Sequence, residues 1–106
     1  KNGILNLTIM HTSASLVIQE NASSEVLDDL SKFYDHLVPM DRHLYTHSIE
    51  GPDDMPAHIK SSLTNTNLTL SVRGFKLALG TWQGIFLFEH RLNSNKRTIL
   101  AHILGD

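Results

Sequence analysis

Along Ile4–Met10, Asn6 and Thr8 alternate with Leu5, Leu7 and Ile9, the period of two that predicts a β-strand. A polar interruption, His11-Thr12-Ser13-Ala14-Ser15, leads into a second apolar stretch, Ser15–Glu20, which reads as another strand. Three hydroxyls beside a histidine suit a turn better than an anion site. The period then changes. From Asn21 or Ser23 onward, Val26, Leu27, Leu30, Phe33, Tyr34, Leu37 and Val38 recur at helical spacing, leaving Asp28, Asp29, Lys32 and Asp35 mostly outward. Glu25, Asp28 and Asp29 lie near the positive end of that helix, and Pro39 stops it. Met40–Leu44 has no period. A short helix over Ala57–Leu63 ends at the turn formers Asn65 and Asn67. Strands are predicted at Leu68–Val72, Lys76–Leu79, Ile85–Glu89 and Thr98–Leu104. This order predicts an α+β fold with mainly antiparallel sheet, in a single domain over residues 1–106.

Two positions in the last strands carry more than a pattern. Glu89 is in phase with Ile85 and Leu87, so it turns inward if they do, and an inward carboxylate needs a partner. Arg97, across the Leu92–Lys96 turn, is the expected partner in a hairpin. Trp82, between Gly80 and Gly84, packs on the core or roofs a pocket.

Composition narrows the classes. Apolar residues make up 41% and charged residues 19%, the balance of a globular domain. No apolar run approaches the ~20 residues that span a bilayer, so no membrane partner is expected. Nine Lys and Arg against eleven Asp and Glu, with no basic run, argue against nucleic acid. The chain has no cysteine, which excludes disulfide and thiolate chemistry and fits a cytoplasmic location. Any metal would be held by His, Asp, Glu or water.

The densest chemistry is in Tyr45–Ile59, YTHSIEGPDDMPAHI, where His47, Glu50, Asp53, Asp54 and His58 surround a Gly51-Pro52 turn. Asp53 or Asp54 caps the following helix, Pro56 suits its first turn, and His58 falls in its opening turns. A loop histidine, a helix-start histidine and carboxylates between them can bring nitrogen and oxygen ligands to one point; metal and acid/base sites both use that mixture. The other histidines, His36, His43, His90 and His102, read as ordinary.

Three blocks, HTSASLVIQENASSEVLDDL, YTHSIEGPDDMPAHI and LALGTWQGIFLFEHR, resemble in order and spacing those of the YjbQ-like proteins, the secondary thiamine-phosphate synthase family, over about Gly3 to Gly105. Two departures stand out. The family usually has a strand-and-helix portion before the first block, so an N-terminal part is expected to be missing. After the second block it commonly has a proline where this chain reads LTLSV. The resemblance implies a two-sheet α+β sandwich assembling as a homotrimer. It also implies a divalent metal, zinc or magnesium, near His11, His47 and His58, with Glu20, Asn21, Asp28, Glu50, Gln83, Glu89 and Arg97 as further site candidates.

The reaction attached to that family joins a hydroxymethylpyrimidine diphosphate to a thiazole phosphate and releases pyrophosphate. Such a site must neutralise charge growing on the leaving diphosphate and align the nucleophile. Glu50, Glu89 and Asp28 would serve as catalytic carboxylates and Arg97 as an auxiliary cation; Trp82 could stack on a heterocycle, Gln83 read its edge, and Asn21 complete the binding set. Histidine ligands, however, suit zinc and hydrolysis better than magnesium and diphosphate transfer. Three readings follow: a thiamine-phosphate synthase, with that activity main or secondary; a metal-dependent hydrolase of a small phosphorylated metabolite; and a non-catalytic trimer that binds a metal or small ligand.

Overall fold

The computed structural model describes residues 1–106. Its elements are β1 (Gly3–Ile9), β2 (Ala14–Glu20), α1 (Ser24–Leu37), a 3₁₀ turn at Arg42–Leu44, α2 (Asp54–Leu63), β3 (Asn67–Arg73), β4 (Lys76–Leu77), β5 (Gln83–Glu89) and β6 (Ile99–Gly105). The strands form two antiparallel sheets, one ordered β4-β3-β1-β6 and one made of β2 and β5. With two helices added, the fold is α+β, as the order of periods predicts.

The link from Met10 to Ser13 carries the chain from one sheet to the other, and the sheets are stitched beside it. Ile9 donates its backbone N–H to Thr66 O at 2.9 Å, and Leu16 donates to Asn65 O at 2.8 Å. Ile9, Ala14 and Leu16 form the buried core there, with Leu7 and Leu68 packed against them. Burying a leucine of this kind contributes about 1.5–3 kcal/mol. Helix α2 seats on β2 through the fully buried Ala57, and Ser61 Oγ donates to Ala14 O at 3.2 Å.

Helix α1 starts where its cap predicts: Ser23 Oγ accepts from the Glu25 N–H. Its apolar stripe is only partly covered. No residue of α1 is fully buried, Tyr34 packs edge-on to Phe88 with centroids 5.5 Å apart, and Phe33 and Leu37 are exposed.

The structure corrects the expected hairpin. Glu89 and Arg97 do pair, but β5 and β6 belong to different sheets, so the pair spans the sheets instead of closing a ladder. Alternation fixes which face a strand buries, not which strand it joins. Strand β4 is also shorter than its apolar run, with two residues. It follows a tight turn in which Gly74 and Phe75 both have positive φ, 58° and 67°, the type I′ geometry of two-residue hairpins.

Much apolar surface stays uncovered. Every residue of β6 is exposed, including Leu100, Ile103 and Leu104. The radius of gyration is 15.8 Å, against about 13 Å for a compact chain of this length. No helix is long and apolar enough to cross a membrane.

Candidate metal centre

Asp54 is the first residue of α2 and His58 lies one turn further on, so the two share a helix face. His47 reaches the same point from the preceding loop. One oxygen of Asp54, Oδ2, lies 2.6 Å from His47 Nε2 and 3.0 Å from His58 Nε2. Asp54 is buried while both histidines keep an open side, and the three ligand atoms lie within 4.8 Å of one another.

Arg91, just after β5, fixes the carboxylates. It donates from Nη1 to Asp54 Oδ1 at 2.9 Å and from Nε to Asp53 Oδ2 at 2.8 Å. A third bond runs from Nη2 to the Glu50 carbonyl at 3.0 Å. Asp53 also accepts from the Leu92 N–H at 2.9 Å. Asp53 thus stands at the N-cap position without capping through its side chain, which Arg91 has taken. The hydrogen bonds from Arg91 hold the Asp53 carboxyl below the usual carboxylate range despite its burial. Burial pushes Asp54 up, but the hydrogen bond from His47 and the charges of His58 and Arg91 outweigh it, so Asp54 also lies below that range. Asp53 raises the Arg91 pKa in return.

The protons decide what this group can do. His58 Nδ1 is 2.9 Å from the Thr12 carbonyl, which can only accept, so Nδ1 carries the proton. In a neutral ring, Nε2 is then a bare lone pair facing an ionised carboxylate. A cation between them resolves that clash, either a second proton on His58 or a metal ion. A histidine whose far nitrogen is pinned to a backbone carbonyl is the usual outer support of a metal ligand. Two imidazole nitrogens and one carboxylate oxygen fit zinc or a similar transition ion better than magnesium, which prefers oxygen ligands.

The remaining sequence candidates divide by place. His11 lies outside the group, its Nε2 accepting the Thr98 N–H at 2.7 Å. Glu50 reaches Arg91 through its carbonyl, and its side chain is exposed. Glu89 pairs with Arg97 through Nε at 2.8 Å and through Nη2, and also accepts the Arg91 N–H at 3.0 Å. Burial raises the Glu89 pKa, but the hydrogen bonds and charge of Arg97 bring it below its ordinary value. Arg97 also donates to Ser13 O at 3.1 Å, so the pair braces the link that holds His58. Asp28 is exposed on α1.

Asn21, Trp82, Gln83 and Glu20 gather at the other end of the β2–β5 sheet. Asn21 donates its backbone N–H to Trp82 O at 2.9 Å and its Nδ2 to Gln83 O at 3.2 Å, and Glu20 pairs with Gln83 in the ladder. Six strand steps, roughly 20 Å, separate Gln83 from Glu89 along β5.

The sequence placed Asp54 among the carboxylates of this block without singling it out, and Arg91 was missed altogether. The pair Asp53-Asp54 was a signal: two adjacent carboxylates at a buried helix start need a cation, and the EHR of the third block supplies one.

The chain resembles known proteins in both sequence and fold. The sequence profile described as "UPF0047 protein YjbQ-like" matches residues 1–106. UPF0047 protein sll1880 of Synechocystis is 50% identical over 106 residues, which are all of this chain and 72% of that protein. UPF0047 protein YjbQ of Salmonella typhimurium is 46% identical over 106 residues, all of this chain and 76% of that protein. Among solved structures, the conserved hypothetical protein TT1486 of Thermus thermophilus superposes with a TM-score of 0.89 at 34% identity. That superposition covers 98% of this chain and 79% of TT1486.

Proposed function

Since the chain belongs to the UPF0047 YjbQ-like family, we propose that His47, Asp54 and His58 hold a divalent transition-metal ion in an enzyme acting on a small phosphorylated substrate. One observation carries this reading: the Thr12 carbonyl accepts from the His58 Nδ1–H, which turns Nε2 toward Asp54 Oδ2, 3.0 Å away, where it can serve as a ligand atom. Such an ion supplies positive charge to phosphate oxygens and lowers the pKa of a bound water. The chain's own residues prepare the place. Arg91 holds Asp54 Oδ1, so that Oδ2 faces the histidines, and the Glu89–Arg97 pair braces the Ser13 carbonyl beside Thr12.

Within this reading, hydrolysis fits the nitrogen-rich donor set, and thiamine-phosphate formation is the particular transfer that the sequence resemblance suggests. For the transfer, Trp82, Gln83 and Asn21 would hold a heterocycle. They sit at the far end of the sheet from Asp54's support, so one copy does not unite the two groups, and a second copy supplies the missing side. The uncovered apolar strand β6 and the extended shape favour assembly, and we keep the homotrimer as the form in which the enzyme works.

The test is the metal content of the purified protein beside His47→Ala and His58→Ala. One transition ion per chain, lost in both variants, is expected; no metal in the parent protein, or equal metal in all three, would overturn the reading. Pyrophosphate from paired pyrimidine and thiazole substrates would select the synthase, and inorganic phosphate from a single substrate the hydrolase.

A further inference from the structure

A gap of about 320 Å³ lies between α1 and the β2–β5 sheet, closed at one end by the link after α2. Leu27, Leu30 and Tyr34 line it from the helix, and Val17, Phe86 and Phe88 from the sheet. Val17 stands opposite Phe86 in the ladder and Phe88 is two residues further on, so all three share the sheet face that Tyr34 touches. These six side chains meet across a helix–sheet interface, yet each is only half-buried, because the space between them is open. None of His47, Asp54, His58 and Trp82 lines it.

The anchoring of α1 keeps the gap open. Two residues before the Ser23 cap, Asn21 donates its backbone N–H to Trp82 O at 2.9 Å and its Nδ2 to Gln83 O at 3.2 Å. Toward the other end, Tyr34 meets Phe88 edge-on and Asp35 accepts from Lys60 Nζ at 2.5 Å. Ser24 and Tyr34 stand about 15 Å apart along the axis, so α1 is pinned at both ends and spans the sheet between them. Gly84 shapes the floor: a Cβ there would stand 3.0 Å from Asn21 Cβ and 3.1 Å from Phe86 Cε2. The missing Cβ lets Asn21 close on the strand and lets the Phe86 ring lie back over the glycine.

The walls determine what fits. No charged side chain lines the gap, so an ion entering it would lose water without gaining a counter-charge. Three of the lining side chains are aromatic rings, which pack best against another flat ring, offset or edge-on. Ser31 and Asn65, both solvent-exposed, put a hydroxyl and an amide at the mouth. Asn65 is fixed there, because its carbonyl accepts the Leu16 N–H at 2.8 Å. The volume is near the lower end of the range for small-molecule pockets, about 300–1,000 Å³, which leaves room for one ring system and not for a chain.

We propose that this gap binds a small neutral aromatic molecule, with its ring among Tyr34, Phe86 and Phe88 and a hydrogen-bonding edge turned to Ser31 and Asn65. Binding covers the half-buried apolar faces of α1 and the sheet, and that burial drives it. The ring enters between elements already held apart, so little reorganisation opposes it. Neutrality and flatness are the two properties selected. The proposal does not rest on a metal at Asp54.

The experiment is a titration of the full chain with benzamide, in chelator, read at the methyl signals of Val17, Leu27 and Leu30 and by contacts from the ligand ring to those methyls. Saturable shifts are expected, with a dissociation constant of about 1 mM, ordinary for a fragment of about nine heavy atoms. Benzoate, the same ring with a charge, should bind at least tenfold more weakly. Cyclohexanecarboxamide, the same amide without a flat ring, should bind several-fold more weakly. Leu30→Trp fills the gap from α1 and should abolish binding while leaving the urea midpoint no lower. Should that variant not fold, Ser31→Trp fills the gap from its exposed mouth. No saturable shift, equal affinity for either control, or binding that survives in a folded filling variant would each overturn the proposal. Methyl shifts that follow protein concentration instead of benzamide would assign the gap to a second copy of the chain, which also overturns it. His47→Ala and His58→Ala leave this titration unchanged, so the two sites fail separately.

Discussion

His58 Nδ1 stands 2.9 Å from the carbonyl oxygen of Thr12, and that contact decides the tautomer of the ring at the centre of the site. The next carbonyl, Ser13 O, accepts from Arg97. Two successive carbonyls of the β1–β2 link therefore hold both the His58 ring and the ion pair that braces it. The link lies beside the core residues Ile9 and Ala14, so the ring is anchored next to the buried core.

Arg91 is a positioning residue for this group. Without it, Asp54 loses its bond on Oδ1 and can turn Oδ2 away from the histidines, and Asp53 is left buried without its cation. Arg91→Lys keeps a charge but not the fork that reaches both carboxylates and the Glu50 carbonyl. Metal affinity in Arg91→Lys should fall about 10–100-fold, the usual effect of removing an outer support. Competition with a chromophoric chelator measures it, and an unchanged affinity would remove Arg91 from this role.

Acid should unfold the protein in two stages. Burial lowers the His90 pKa from 6.5 to about 4, so between those values the unfolded chain takes up a proton that the folded ring refuses. Stability is unaffected by His90 above 6.5 and declines as pH falls toward 4, by up to roughly 3 kcal/mol at about 1.36 kcal/mol per unit. Asp53, Asp54 and Glu89 act lower. Their folded pKa values lie below their ordinary ones, so the stability they contribute is present above the ordinary carboxylate range and is lost as pH falls through the folded values. Urea midpoints at pH 7.5, 5 and 3.5 separate the stages. His90→Gln, which keeps a donor for Ser15 but does not titrate, should flatten the upper one and leave the lower.

The elements were legible because their periods are strong. Seven apolar positions from Val26 to Val38 mark α1, and alternation marks β1. The partition into sheets was not, because Ile85–Glu89 and Thr98–Leu104 are neighbours along the chain and nothing in alternation assigns them to different sheets. Of the candidate centre, His47 and His58 were visible through their shared polar block. Asp54 was in the same block but was not singled out, because an aspartate at a helix start already has an ordinary explanation as a cap. His90 was hidden because burial of a histidine depends on tertiary contacts with Ser15 and Thr64, which come from distant segments.

Phe75 is a local misfit. It occupies the second central position of the turn into β4 with φ of 67°, a conformation that costs an L-residue about 1–2 kcal/mol and that asparagine tolerates. Its ring is 80% exposed, so little packing offsets the strain. Phe75→Asn should stabilise the chain by about 0.5–1 kcal/mol, seen as a higher urea midpoint with an unchanged slope. A lower midpoint would mean that the ring is buried by another copy of the chain in solution.

Gly51 couples the backbone to the centre. Its φ is +113°, and a Cβ built there would stand 3.1 Å from Asp53 Oδ1, the carboxylate that holds Arg91. L-residues rarely adopt that backbone conformation. In Gly51→Ala the loop must shift, and the shift acts on Asp53 first, then on Arg91, and through it on Asp54. The substitution should therefore cost about 1–2 kcal/mol of stability and weaken metal binding at a position that is not itself a ligand. Gly74→Ala, at φ of 58° in open space beside β4, is the matched control: strain of a similar kind, with no carboxylate nearby. If both variants lose stability but only Gly51→Ala loses metal affinity, the coupling runs through Asp53 and Arg91. Equal affinity in the two would confine the role of Gly51 to the turn.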